Sequence, residues 1–218
     1  MNIYCLVEGR ITEKQVYSSW IPLVNPALRV VDFLQEVDHN KVIIVSGEGF
    51  PQLFHRLAPS LADIQAHGNI DRFVLSVDSE EMDFADKLVE VTQHIAMHNP
   101  AVPVFPIVQH YCFETWALGN RVIGSKRPTD PDLAEFKRAY DVATLDPAVM
   151  QSIRPRLNRA QFSELYLRRL LNDQHKGLTY SKSNPSLVCH RKYFDQVRRR
   201  LQDTGHIASF HQFISAFT

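Results

Sequence analysis

Cysteine is scarce in this sequence. Cys5, Cys112 and Cys189 are far apart and form no CxxC pair, which argues against a disulfide framework or a zinc ribbon. No uninterrupted apolar run approaches the roughly 18–20 residues that a bilayer span needs. The N-terminus lacks a basic segment leading into an apolar core and a small-residue cleavage site. No secretory signal is therefore expected, no membrane partner either, and the expected location is the cytoplasm. The ten histidines form no HExxH, and the glycine-containing "SGEGF" is neither GxxxxGK[ST] nor GxGxxG. Zincin, ATPase and dinucleotide-binding classes thus have no support. No internal repeat or low-complexity tract is visible.

Net charge is also absent, because 24 Lys+Arg balance 24 Asp+Glu over 218 residues. The balance hides an asymmetry: residues 1–120 carry −8 and residues 121–218 carry +8. An acidic half can hold cations and a basic half can meet phosphates, although two such halves can also simply attract one another. The hydrophobic content of 44% suits a globular chain of one large domain or one domain with an appended subdomain.

Apolar runs and helical periodicity alternate through the first half. Ile3–Val7, Leu28–Phe33, Val42–Val45, Phe73–Val77 and Val102–Val108 read as strands, the last at an edge or irregular because it holds Pro103 and Pro106. Thr12 begins T-E-K-Q, a capping-box pattern, and predicts a helix ending near Trp20, before Pro22. Leu53, Leu57, Leu61 and Ile64 mark a second helix that stops at Gly68. Phe84, Leu88, Val91 and Ile95 mark a third. This alternation predicts an α/β fold with a mostly parallel sheet covered by helices. After about residue 120 the pattern becomes helical, near 131–143, 161–173, 190–202 and 208–217. The division expected is an α/β domain over 1–120 and a basic helical extension over 121–218. Phe210, Phe213 and Phe217 form an apolar stripe that docks the last helix.

In parallel sheets ligands gather beyond the carboxyl ends of the strands, so the residues after each run matter most. Three strand ends carry acids: Glu8, then Asp78-Ser79-Glu80-Glu81, then Glu114 at a helix start. Carboxylates brought together need a cation or protons. Mg²⁺ or a similar hard cation takes oxygen ligands and polarises a phosphodiester. Acids at helix starts also favour the helix dipole, which accounts for Glu80, Glu81 and Asp83 without any metal. Gly47 and Gly49 either cradle a phosphate or form a tight turn. His94 and His98 read as a solvated helix face or a metal pair. His110 lies near Glu114 in sequence, and Cys5 and Cys112 read as core thiols.

The stretches "LVEGRITEKQVY", "FVLSVDSE", "IIVSGEGF" and "CFETWALGN" together resemble the Toprim domain, the metal-binding module of topoisomerases, primases and nucleases of the overcoming-lysogenization-defect class. They also look like small Toprim-like proteins of bacterial defence against phage. The similarity spans residues 3–120. It implies a Toprim-like fold and Mg²⁺ or Mn²⁺ as cofactor. It makes Glu8 a metal ligand or proton-transfer group, Asp78 and Glu80 catalytic metal-holding acids, and Glu114 a supporting ligand. Glu80 departs from the family's second aspartate, so Glu81 and Asp83 stay open as alternatives. The implied activity is phosphodiester cleavage or other phosphoryl transfer on nucleic acid in a defence setting, with a partner protein such as a defence-system ATPase.

The basic half supplies candidates for holding nucleic acid: Lys182, Arg198, Arg199 and Arg200, the three arginines being read as exposed. Two other functions compete. One is a catalytically degenerate module that binds nucleic acid or a partner protein. The other is a phosphohydrolase of free nucleotides.

Overall fold

In the computed structural model, which describes residues 1–174 and 180–218, the five apolar runs form one sheet. The strands are β1 (Ile3–Val7), β2 (Arg29–Val31), β3 (Lys41–Ser46), β4 (Arg72–Asp78) and β5 (Val104–Gln109). Their order is β2-β3-β1-β4-β5, and the sheet is parallel throughout. The register places Leu6 beside Val45 and Leu75, so β1 sits centrally and all five of its residues are buried. Strand β5, which holds Pro106 and is preceded by Pro103, lies at an edge, where a missing N–H costs no ladder bond. No helix among the described residues is long and apolar enough to cross a membrane.

The chain forms two compact units. The first comprises 1–77, 83–108 and 212–218, and the second comprises 78–82 and 109–211.

In the first unit, strand alternation serves both sheet faces. Tyr4, Leu6, Ile43, Phe73 and Leu75 share a core with Leu53, Leu57 and Ile64 of α2 (Gln52–His67) and Val91 and Ile95 of α3 (Phe84–Ala96). Each fully buried aliphatic chain contributes about 1.5–3 kcal/mol relative to exposure. Ser76 belongs to the opposite face and bonds the Tyr17 hydroxyl of α1 (Thr12–Val24) at 2.7 Å. There Tyr17 and Trp20 meet Phe213 edge-on at ring separations of 4.7 and 6.1 Å. Phe213 and Phe217 are fully buried, so this part of the aromatic stripe docks as its spacing implies.

Helix α1 departs from expectation at both ends. Thr12 is the first helical residue rather than the cap, and Ile11 occupies the cap position without a side-chain acceptor. The cause is burial: Glu13, Val16, Tyr17 and Trp20 recur at helical spacing and face inward. The helix also continues through Pro22 to Val24, held by buried Trp20 and Ile21.

The second unit is helical. It contains α4 (Phe113–Ala117), α5 (Pro131–Ala139), α6 (Arg159–Gln174) and α7 (Arg191–Thr204), while α8 (Phe210–Phe217) begins in it. Asp130 caps α5 by accepting from the N–H groups of Asp132 and Leu133 at 2.9 and 3.2 Å. Phe136, Phe162 and Tyr166 pack together between α5 and α6. Phe210 packs against Trp116 and Phe194.

Candidate functional site

Backbone strain marks the ends of three strands. Glu48 follows β3 with φ 67°, Glu80 follows β4 with φ 53°, and Tyr111 follows β5 with φ 63°. None is glycine, and such conformations persist only where surrounding structure imposes them. The strain after β4 and β5 is held by backbone bonds from Ser79 N–H to Gln109 O at 3.0 Å and from Glu80 N–H to Tyr111 O at 2.9 Å. The Ser79 hydroxyl accepts the Tyr111 N–H at 2.8 Å and lies 3.2 Å from His110 Nδ1.

Three carboxylates are buried among the described residues: Glu13, Asp78 and Glu114. Asp78 is the last residue of β4. Glu114 is 1% exposed in the first turn of α4, and its Oε1 accepts the Tyr180 hydroxyl at 2.8 Å. The fields of the two acids meet at two side chains. Cys112 is pushed far above the ordinary thiol range, first by burial and then by Glu114 and Asp78. It therefore stays a protonated thiol, not a nucleophile. Lys182 is drawn down by burial, but Glu114, Asp78, Cys112 and Glu164 outweigh that and hold its ammonium well above the usual lysine range. Its Nζ lies 3.8 Å from Glu164 Oε2. Burial and Glu114 raise Glu164 above the ordinary carboxylate range, with Lys182 and Arg168 opposing.

Asp78, Glu114 and Lys182 thus form one electrostatic cluster. Glu80 is directed elsewhere: it is exposed and accepts from Asn158 Nδ2 at 3.4 Å. Glu81 accepts the Arg159 N–H at 2.6 Å. These acids meet the start of α6, whose unpaired N–H groups and dipole attract them. Asp83, the other alternative, caps α3 by accepting the Ala85 N–H at 2.8 Å.

In the first unit, Glu8 follows β1 and donates its N–H to Ser76 O at 3.0 Å. Glu13 was not legible as a candidate, although its helical spacing with Val16, Tyr17 and Trp20 signals a charge on a buried face. A Cβ at Gly9 would stand 1.8 Å from Glu13 Oε2, so the absence of a side chain at Gly9 makes room for that carboxylate. The turn after β3 consumes its own donors: Gly47, Glu48 and Gly49 N–H groups bond Val7 O, Ser46 Oγ and Glu8 O. That geometry is a tight turn, with Gly49 at φ 93°, and leaves no phosphate cradle.

Among the described residues, no group of three or more His, Cys, Asp or Glu side chains is placed to hold a metal ion. His94 stacks on Phe54 at 4.0 Å, and His98 lies beyond the end of α3. Mg²⁺ commonly binds through one or two carboxylates, completing its shell with water and substrate phosphate. Asp78 and Glu114, both buried, supply two carboxylates, the number that mode uses.

The basic side chains divide. Arg198 and Arg199 are exposed, as read from the sequence. Arg200 corrects that reading: it is 0% exposed. Its guanidinium donates to Ala143 O, Leu145 O and His206 Nδ1 at 3.1, 2.7 and 3.0 Å. With three fixed acceptors, Arg200 ties α7 to the 143–145 and 206 segments and is withdrawn from any polyanion. Other cations of this half meet its own acids, Arg154 with Asp132 and Glu135 and Arg169 with Asp130 and Asp132.

No family model matches the chain, no curated protein matches it, and no solved structure matches it.

Proposed function

We propose that this chain is a divalent-metal-assisted phosphodiesterase acting on nucleic acid, of the kind its Toprim resemblance implies. The observation that carries the reading is the buried pair Asp78 and Glu114 acting on the single ammonium of Lys182. Together with Glu164, which Arg168 also meets, three carboxylates act on the Lys182 charge, negative groups of the kind that a hard divalent ion such as Mg²⁺ or Mn²⁺ takes as ligands. Such an ion, when bound, would polarise the phosphate and lower the pKa of an attacking water. Asp78 and Glu114 would hold it, with Tyr180 fixing the Glu114 carboxylate. Lys182, kept charged by its neighbours, would stabilise negative charge developing on the phosphoryl oxygens. A proton-transferring role for Glu8, after β1, rests on the resemblance alone. Arg198 and Arg199 would hold the polymer backbone. A role in defence against phage, and any ATPase partner, rest on the resemblance alone.

One observation favours a second reading, a noncatalytic nucleic-acid or protein-binding module. Glu80, the acid expected to complete the metal pair, engages Asn158. Cleavage of labelled single- and double-stranded DNA and RNA with Mg²⁺, with Mn²⁺ and with chelator separates the two. The proposal expects metal-dependent cleavage that falls at least about a hundredfold in Asp78→Asn. Binding without cleavage supports the second reading. Cleavage of free nucleotides but not polymers points to a nucleotide phosphohydrolase.

A further inference from the structure

A groove of about 540 Å³ opens in the second unit between α7 and the 120–123 segment, within the size range of small-molecule pockets. Its lining is mainly apolar and includes Val122, Ile123, Leu187 and Tyr193. Val122 is 68% exposed, an apolar side chain left open to solvent. The walls are anchored: Tyr193 donates its hydroxyl to Ala117 O at 2.7 Å, and Val122 N–H donates to Asn120 Oδ1 at 3.1 Å.

The polar rim is mostly cationic. Lys192 and Arg199 line it with His190, against the single acid Asp195. Lys192 and Arg199 are seven residues apart on α7. They therefore share one helix face about 10 Å apart along the axis. Arg200, the next residue, is locked into the interior, which fixes the rotation of α7 and keeps Arg199 on the groove side.

We propose that this groove receives one unstacked base of a single-stranded nucleic acid, with Lys192 and Arg199 contacting phosphates on either side of it. The inference deepens the nucleic-acid reading above and rests on it for the choice of polyanion. Charge complementarity selects an anionic ligand, and the recessed apolar lining selects one that carries an apolar face. A single strand offers both, because its bases can leave the stack and lie on apolar side chains. A duplex keeps its bases stacked and presents phosphates outward, which would leave the groove unfilled.

The test is fluorescence anisotropy with labelled oligothymidylate and oligouridylate, and with the same strands hybridised, in chelator so that no cleavage intervenes. The variants are Val122→Glu, which puts a charge on an already exposed position, and Lys192→Gln with Arg199→Gln. Circular dichroism checks that each remains folded. Wild type is expected to bind single strands more tightly than duplex, and each variant to bind them about tenfold or more weakly. The double variant should also lose about 1.4 units from the slope of log affinity against log salt. Unchanged single-strand affinity in both variants, equal affinity for duplex, or no binding by wild type would overturn the groove assignment. Displacement of the strand by a glutamate-rich peptide whose own binding is lost in Val122→Glu would overturn it in favour of a peptide groove. Groove-dependent binding without metal-dependent cleavage would defeat the phosphodiesterase reading alone. Cleavage with binding unaffected by these variants would defeat the groove alone.

Discussion

The Tyr180 hydroxyl donates a 2.8 Å hydrogen bond to Glu114 Oε1, and both side chains are buried. Removing this donor leaves a buried carboxylate oxygen without it, which is more costly than the net value of an ordinary hydrogen bond. Tyr180→Phe should destabilise the protein by about 1–3 kcal/mol, read as a lower denaturation midpoint at unchanged slope. A midpoint equal to wild type would mean that the bond does not hold Glu114.

Lys182 lies in the field of this carboxylate and of Asp78 and Glu164, and the sign of its pH effect is determined. The folded protein raises the pKa of Lys182, with burial opposing and the carboxylates prevailing. Its contribution to stability is therefore complete below the unfolded lysine value of about 10.4 and is lost as pH rises through the higher folded value. Lys182→Gln should lower the melting temperature by a few degrees at neutral pH, an effect limited by the partial exposure of the side chain. The deficit should shrink in acid, where the carboxylates take up protons. A deficit independent of pH would show that packing, not charge, is what Lys182 supplies.

Gly9 and Glu13 should behave as a coupled pair. A Cβ at position 9 would displace the flexible end of Glu13, whose Oε2 lies 1.8 Å from that point. Gly9→Ala should therefore destabilise the fold by about 1–2 kcal/mol, and adding Glu13→Ala should remove most of the clash. The double-mutant cycle measures this as a coupling of at least about 0.5 kcal/mol. Additive effects would separate the two residues.

Adjacent arginines on α7 should differ sharply. Arg200→Gln removes a fully buried guanidinium with three acceptors and should cost about 2–4 kcal/mol. Arg198→Gln and Arg199→Gln should each stay within about 0.5 kcal/mol of wild type. Chemical denaturation of the three variants checks the contrast, and equal losses would contradict it.

The parallel sheet was legible because its strands are short, β-branched and separated by periodic helices, a local pattern that tertiary packing did not override. Asp78 and Glu114 could be named as candidates for the same reason: Asp78 ends β4 and Glu114 opens the helix after β5, and chain order alone suggests where such residues gather. Lys182 could be named, but not its charge environment, because Glu114, Glu164 and Lys182 are far apart in the chain and meet only through tertiary packing. The direction of Glu80 was hidden because it depends on the positive φ after β4 and on the position of Asn158. Arg200 was misread because "RRR" carries no mark of which residue faces inward. The buried residues Tyr193, Phe194 and Val197, at spacings of 7, 6 and 3 from it, supply that mark once the helix phase is known. Thr12 illustrates the limit of local signals: the capping-box pattern yielded to burial of the next turn.

The account stands most directly on whether Asp78 and Glu114 hold a divalent ion. The measurement is anomalous scattering from crystals soaked in Mn²⁺, for wild type and for Asp78→Asn. The account predicts a peak bonded to carboxylate oxygens of Asp78 and Glu114 in wild type, absent from the variant. A peak confined to other residues, the same peak in both proteins, or both carboxylates bonded only to the Lys182 ammonium with no peak would contradict it.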